Sequence, residues 1–264
     1  MIKKAYCETP SGQIHYYQGG STEKPPIIFL HQNVSGARGY LPTLEILEQH
    51  HHCIALDLPG FGGSFDPPDF DSISTLTNYT LEFIDTLKIK SFHTFGNHTG
   101  AGMAAEIASM RPESVLSCTM IGALLLTEEQ VAPYRDEFSG SVGPSHEAEY
   151  LKITWDYIYD LGGNLDLNNM NDEFYGALRA WRARGMIYKC VWDYRFDLFI
   201  KKVKCPTLLM CSPDDVLYLG HKNTAEAMPH AKVLDIKGSN FESYFDPEGI
   251  SRGIAEFFKE NNLI

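Results

Sequence analysis

The stretch Ser91-Phe92-His93-Thr94-Phe95-Gly96-Asn97-His98-Thr99-Gly100 decides how the rest of this chain is read. Its second half has the frame Gly-x-Nu-x-Gly, in which a strand turns sharply into a helix and lifts one side chain above the sheet edge. The glycines serve the backbone, and the middle residue does the chemistry from a strained conformation. Here that residue is histidine, where a nucleophilic serine is expected. Histidine is among the few non-glycine residues enriched at positive φ, so His98 suits the position. Ser91 to Phe95 reads as a buried strand. Ala101, Met103, Ala104, Ile107 and Ala108 follow at helical spacing until Arg111-Pro112 ends the helix.

Outward from this turn the pattern alternates strand and helix. Lys4 to Tyr17, turning at Ser11-Gly12, reads as a hairpin. Pro26 to His31 and Cys53 to Asp57 read as buried strands, and Ser114 to Ile121, Thr207 to Cys211 and Val233 to Ile236 as further strands. Helices are predicted from Ser72 to Leu87 and from Pro247 to Asn261. Such alternation predicts a mostly parallel sheet with helices on both faces. Between Ala123 and Lys204 the alternation stops and the pattern is helical throughout, with a capping box at Thr127-Glu128-Glu129-Gln130. Trp155, Trp181 and Trp192 all fall there, among many tyrosines. A helical insertion at that point can roof the strand ends, where open α/β sheets bind ligands. His146 sits in a Gly/Ser/Pro-rich loop, Ser139 to Ser145, and reads as solvated.

A chain of 264 residues with 44% hydrophobic content can bury one large core. The formal charge of −12 argues against nucleic acid and anionic membrane surfaces as partners. The longest apolar run, Val115 to Leu126, is interrupted by Ser117, Thr119 and Gly122, and it is too short to span a bilayer. No apolar signal core follows Met1-Ile2-Lys3-Lys4. The six cysteines form no CxxC pair, and most sit in predicted strands, so a reducing cytoplasm is the expectation. GxxxxGK[ST] and GxGxxG are both absent, and no nucleotide cofactor is expected. His31 and His98 with Asp57 or Asp214 are conceivable metal ligands, but the spacings HxxxH and HExxH are missing, and no metal is expected.

Further motifs stand in order along the chain. His31-Gln32 follows the third strand, and Asp57-Leu58-Pro59-Gly60-Phe61-Gly62-Gly63-Ser64 follows the fourth. Cys211-Ser212-Pro213-Asp214 makes an acidic turn, and Gly238-Ser239-Asn240-Phe241 precedes the last helix. With the elbow, these motifs make the chain resemble the α/β-hydrolase superfamily over nearly its whole length. The resemblance implies that fold, with a core of 1–122 and 205–264 and a helical cap of 123–204. It puts His98 at the nucleophile position, Asp214 at the acid position (Asp215 being the alternative) and Asn240 at the base position. Gln32, Asn33 and Thr99 become the oxyanion contacts, and His31, Trp155, Trp181 and Trp192 the pocket wall.

Two of the three triad positions therefore depart from Ser/Asp/His. Serine hydrolysis needs a histidine that takes and returns the serine proton. Asparagine does neither, so the acyl-serine route is excluded at this site. A neutral imidazole accepts a proton, attacks a carbonyl or binds a ligand. His98 is accordingly read as base, nucleophile or contact, with Asn240 and then Asp214 as its orienters. The expected activity is cofactor-independent chemistry on a small hydrophobic, aromatic carbonyl compound: ester or lactone hydrolysis, or lyase chemistry begun by proton abstraction. The alternative is a ligand-binding protein on a degenerate scaffold. Monomer and dimer both remain open.

Overall fold

In the computed structural model the described residues are 1–138 and 143–263. Residues 139–142 of the Gly/Ser/Pro-rich loop lie outside them, and His146 just beyond is exposed. Eight strands run β1 (Lys3–Glu8), β2 (Gln13–Gly19), β3 (Ile27–Leu30), β4 (Cys53–Leu56), β5 (Phe92–Asn97), β6 (Val115–Ile121), β7 (Thr207–Cys211) and β8 (Lys232–Asp235). They form one sheet in the order β1-β2-β4-β3-β5-β6-β7-β8. β1 and β2 make the expected antiparallel hairpin, β2 joins β4 antiparallel, and every later pair is parallel. This is the α/β-hydrolase fold.

The helices are α1 (Leu41–Leu47), α2 (Ile73–Thr86), α3 (Thr99–Met110), α4 (Glu128–Phe138), α5 (Glu149–Asp160), α6 (Leu167–Arg179), α7 (Trp181–Cys190), α8 (Phe196–Ile200), α9 (Tyr218–Ala227), α10 (Glu242–Phe245) and α11 (Pro247–Glu260). Local chemistry sets several of their starts. The Ser72 hydroxyl accepts from the Ser74 N–H at 3.2 Å to open α2. Thr127 and Gln130 exchange side-chain and backbone bonds at 2.9 and 3.3 Å, the reciprocal capping box that starts α4. Asp246 accepts from the Gly249 N–H, and Pro247 supplies the fixed φ of the first turn of α11.

Alternate residues of each central strand face opposite sides of the sheet. Ile28, Leu30, Ile54 and Leu56 bury with Phe83 of α2 and Met103 and Ile107 of α3. Phe29, Ala55, Phe95 and Leu208 bury with Leu44 of α1 and with Ile250, Ile254 and Phe257 of α11. The short helices α1, α9 and α10 carry too few turns for their period to show in the sequence. Helices α4 to α8 all fall between β6 and β7 and make the inserted helical region. Among the described residues, no helix is long and apolar enough to cross a membrane.

Candidate active site

The site begins where β5 becomes α3. Gly96 and Gly100 let the backbone close on itself: a Cβ at Gly96 would lie 2.0 Å from the Gly100 carbonyl oxygen, and one at Gly100 only 1.9 Å from that of Leu30. No side chain fits either gap. Between them His98 is held at φ 46° and ψ −110°, a positive-φ conformation costing on the order of 1–3 kcal/mol. Its N–H donates to the Ile121 carbonyl at 2.9 Å, and its own carbonyl accepts from Gly102 at 3.1 Å. The elbow geometry is thus present with histidine at its apex.

The ring is oriented from the end of the sheet. His98 Nε2 lies 2.7 Å from Asp215 Oδ2, and Asp215 Oδ1 accepts from the Leu217 N–H at 2.6 Å. The Asp215 side chain is fully buried, while that of His98 keeps 14% exposure. A Cβ on Gly122 would stand 2.3 Å from His98 Cδ2 and 2.6 Å from Nε2, so this glycine (φ +58°) clears the path along which the ring reaches Asp215. An anionic Asp215 accepts the Nε2 proton and leaves Nδ1 as the ring's free acceptor. Nδ1 has no hydrogen-bond partner among the described residues.

The remaining expected residues sort differently. Asp214 is exposed, so the carboxylate facing His98 is its neighbour Asp215; the turn in which Asp215 N–H bonds the Ser212 carbonyl rotates Asp214 outward. Asn240 lines the cavity beside His98 but does not orient its ring. Its Nδ2 donates to the Leu161 carbonyl at 2.8 Å, and its Oδ1 accepts from the Val216 N–H at 3.3 Å. Gln32, Asn33 and Thr99 all line the cavity. Thr99 opens α3, so its N–H is one of the orphan donors of a helix start. The Gln32 side chain turns away and donates to the Asn240 carbonyl at 2.8 Å.

His31 is not part of the cavity wall. Its Nδ1 meets the Gln32 carbonyl at 2.8 Å and its Nε2 accepts from the Leu58 N–H at 2.9 Å, which spends both nitrogens on loop structure. Burial holds its pKa below the ordinary histidine value. Trp155 packs edge-on against Phe174, and Trp181 is 36% exposed; neither reaches the cavity. Trp192 does. It stacks on Tyr134 at 5.6 Å and on Tyr188 at 6.2 Å, with Phe138 beside it. Its Nε1 is buried without a partner. Tyr157 completes the roof, its hydroxyl bonded to that of Tyr188. The cavity between elbow and roof has a volume of about 50 Å³.

Glu242 and Glu173 carry no motif in the sequence and are revealed by the structure. The Glu242 carboxyl is wholly buried and placed against Asp215, and its pKa is pushed well above the usual carboxylate range by burial first and by the Asp215 charge second. Ligand atoms of His98, Asp215 and Glu242 lie within 4.8 Å of one another. A metal with bonds of about 2.1 Å holds tetrahedral ligand atoms about 3.3 Å apart. The His98–Asp215 distance is a proton's spacing instead. Glu173 reaches from α6 into the core, takes the Ser35 hydroxyl at 2.6–2.7 Å, and is raised by burial to about 7. The Asp57 carboxylate is engaged by His15 and by the N–H groups of Ala37 and Gly63, so the metal grouping weighed around Asp57 is not brought together.

A strand-turn-helix elbow, an acid after the seventh strand and a roofed cavity define a hydrolase-type site. The model of the alpha/beta hydrolase fold family matches residues 25–246, and the chain belongs to that family. It is 22% identical over 228 residues to (E)-2-((N-methylformamido)methylene)succinate hydrolase of Acinetobacter baylyi, covering 81% of each chain. It is 26% identical over 238 residues to a proline iminopeptidase of Lactobacillus helveticus, covering 76% of this chain and 78% of that one. The enol-lactonase of Burkholderia xenovorans superposes with a TM-score of 0.83 at 15% identity, over 97% of this chain and 100% of that one.

Proposed function

We propose that this protein is a cofactor-independent enzyme of the α/β-hydrolase fold that hydrolyses an ester or lactone of a small aromatic compound, with His98 as general base. The observation that carries this reading is the His98–Asp215 contact at 2.7 Å beneath a cavity walled by aromatic side chains. Asp215 keeps the Nε2 proton, so Nδ1 is the basic atom. Nδ1 takes a proton from water as the water oxygen bonds to the substrate carbonyl carbon. The carbonyl oxygen gathers the electron pair and meets the Thr99 N–H and an N–H near Gln32 and Asn33. The tetrahedral intermediate then collapses, and the leaving oxygen recovers the proton from Nδ1.

The stacked wall of Tyr134, Tyr188 and Trp192 favours a flat aromatic group in the substrate. The unpaired Trp192 Nε1 offers it one hydrogen bond. No serine stands at the elbow, and Asn240 is committed to Leu161 and Val216, so an acyl-serine route has neither nucleophile nor base. The same basic Nδ1 suits proton abstraction beside a carbonyl, the lyase variant of this chemistry. The hydrolytic reading is consistent with the hydrolase names of relatives such as that of Acinetobacter baylyi. Six unpaired cysteines fit a reducing compartment such as the cytoplasm.

The experiment is a panel of aryl esters and lactones presented to wild type and His98→Ala, with folding checked by circular dichroism. Consumption by wild type and a loss of about 10²–10⁴-fold in the variant is the expected result. Binding without turnover by both proteins would favour a ligand-binding protein on a hydrolase scaffold.

A further inference from the structure

The loop after β8 brings a second carboxyl to the buried side of the elbow. Glu242 opens α10 and is fully buried. Its Oε1 accepts from the Ser212 N–H at 3.3 Å, and its Oε2 has no partner of ordinary hydrogen-bond distance. The group in front of it is Asp215. Two adjacent buried carboxyls cannot both ionise, because burial and mutual repulsion act against the second charge. The pair therefore holds one proton between them.

The geometry also decides where that proton rests. Asp215 has two strong stabilisers of its charge, the Leu217 N–H at 2.6 Å and the His98 ring at 2.7 Å. Glu242 has one long bond from a neutral amide. No lysine or arginine among the described residues pairs with Glu242. The other ionisable groups acting near it are Cys211 at the end of β7 and Tyr40 ahead of α1, both held neutral by burial. We propose that Glu242 is a positioning residue, a neutral acid packed within 4.8 Å of Asp215 that leaves Asp215 the single charge behind His98 and so keeps the ring in the tautomer with Nδ1 free.

The line His98–Asp215–Glu242 then carries a single negative charge, centred on Asp215. A charged Glu242 would put two negative charges behind the imidazole and make its cation too stable to return a proton to the leaving group. A neutral group at that place leaves one charge behind the ring and keeps the histidine able both to take and to give a proton. The chemical meaning rests on His98 being the base; the protonation of Glu242 does not.

The test separates the two. Infrared difference spectroscopy of wild type against Glu242→Gln at neutral pH should show one carboxylic-acid C=O band, lost in the variant. Histidine NMR titration gives the consequence: Glu242→Gln, which keeps a neutral group of the same shape, should leave the His98 midpoint within about 0.3 unit of wild type. Glu242→Leu is neutral as well and should likewise leave the midpoint within about half a unit. A missing C=O band, or a fall of about a unit in Glu242→Gln, would overturn the proposal, since it would mean that a negative charge had been removed. If Glu242→Leu does not fold, the glutamine variant and the infrared band decide alone. Loss of activity in His98→Ala bears only on the base.

Discussion

The floor and the roof of the cavity are built by opposite means. On the floor every position is set by backbone approach: Gly96 against Gly100, Gly100 against Leu30, Gly122 against the His98 ring. On the roof, Tyr134, Phe138, Tyr157, Tyr188 and Trp192 come from α4, α5, α7 and the turn after it, and meet by stacking. The floor holds one polar contact at a fixed distance, and the roof fills volume. Chemistry that needs a ring nitrogen placed to within a fraction of an ångström belongs on the floor. Shape selection belongs on the roof.

That contrast ranks the expected effects, taken here in order of free energy. Asp215→Asn presents an amide that can donate to Nε2 and turn the tautomer round, and turnover should fall about 10³-fold with little change in KM. Equal activity would detach the floor from the chemistry. Glu173 fastens the roof helix α6 to Ser35 of the core, and its sign is clear. Its folded value is raised to about 7, so the folded state favours the neutral acid. Stability should therefore fall as pH rises from about 4.5 to about 7 and stay low above that, by on the order of 3 kcal/mol. Glu173→Gln should remove this decline, read as Tm against pH relative to wild type. A parallel decline in both proteins would place its cause elsewhere.

Gly122→Ala should push the His98 ring off Asp215 and cost about 10²-fold in kcat. An unaltered kcat would mean that the ring has room the backbone geometry denies it. Trp192→Ala should raise KM about tenfold with kcat largely kept, because it removes packing area rather than a reacting group. A kcat effect exceeding the KM effect would bring the roof into the chemistry and dissolve the contrast.

The same division governs what the sequence discloses. The elbow, the strands around it and the capping box at Thr127 are local patterns, readable from spacing and side-chain type. Which of two adjacent aspartates faces inward is not local. It depends on the turn at Ser212, which sends Asp214 to solvent and Asp215 to His98. Asn240 falls in the expected loop, but its amide is used by Leu161, 79 positions away along the chain. No spacing announces that bond. The tryptophans are recognisable as roof residues, yet helix rotation sends Trp155 to Phe174, leaves Trp181 at the surface and brings only Trp192 into the cavity. Glu242 and Glu173 look like ordinary acids in the sequence, and only tertiary burial sets them apart.

The central proposal is that Asp215 holds the proton on Nε2, so that Nδ1 is the basic atom of the ring. Nitrogen-15 NMR of the labelled histidine ring, assigned by its loss in His98→Ala, reads this directly. The account predicts a protonated Nε2 and a bare Nδ1 for neutral His98, with the preference abolished or reversed in Asp215→Asn. A neutral ring with its proton on Nδ1 in the wild-type protein would contradict it.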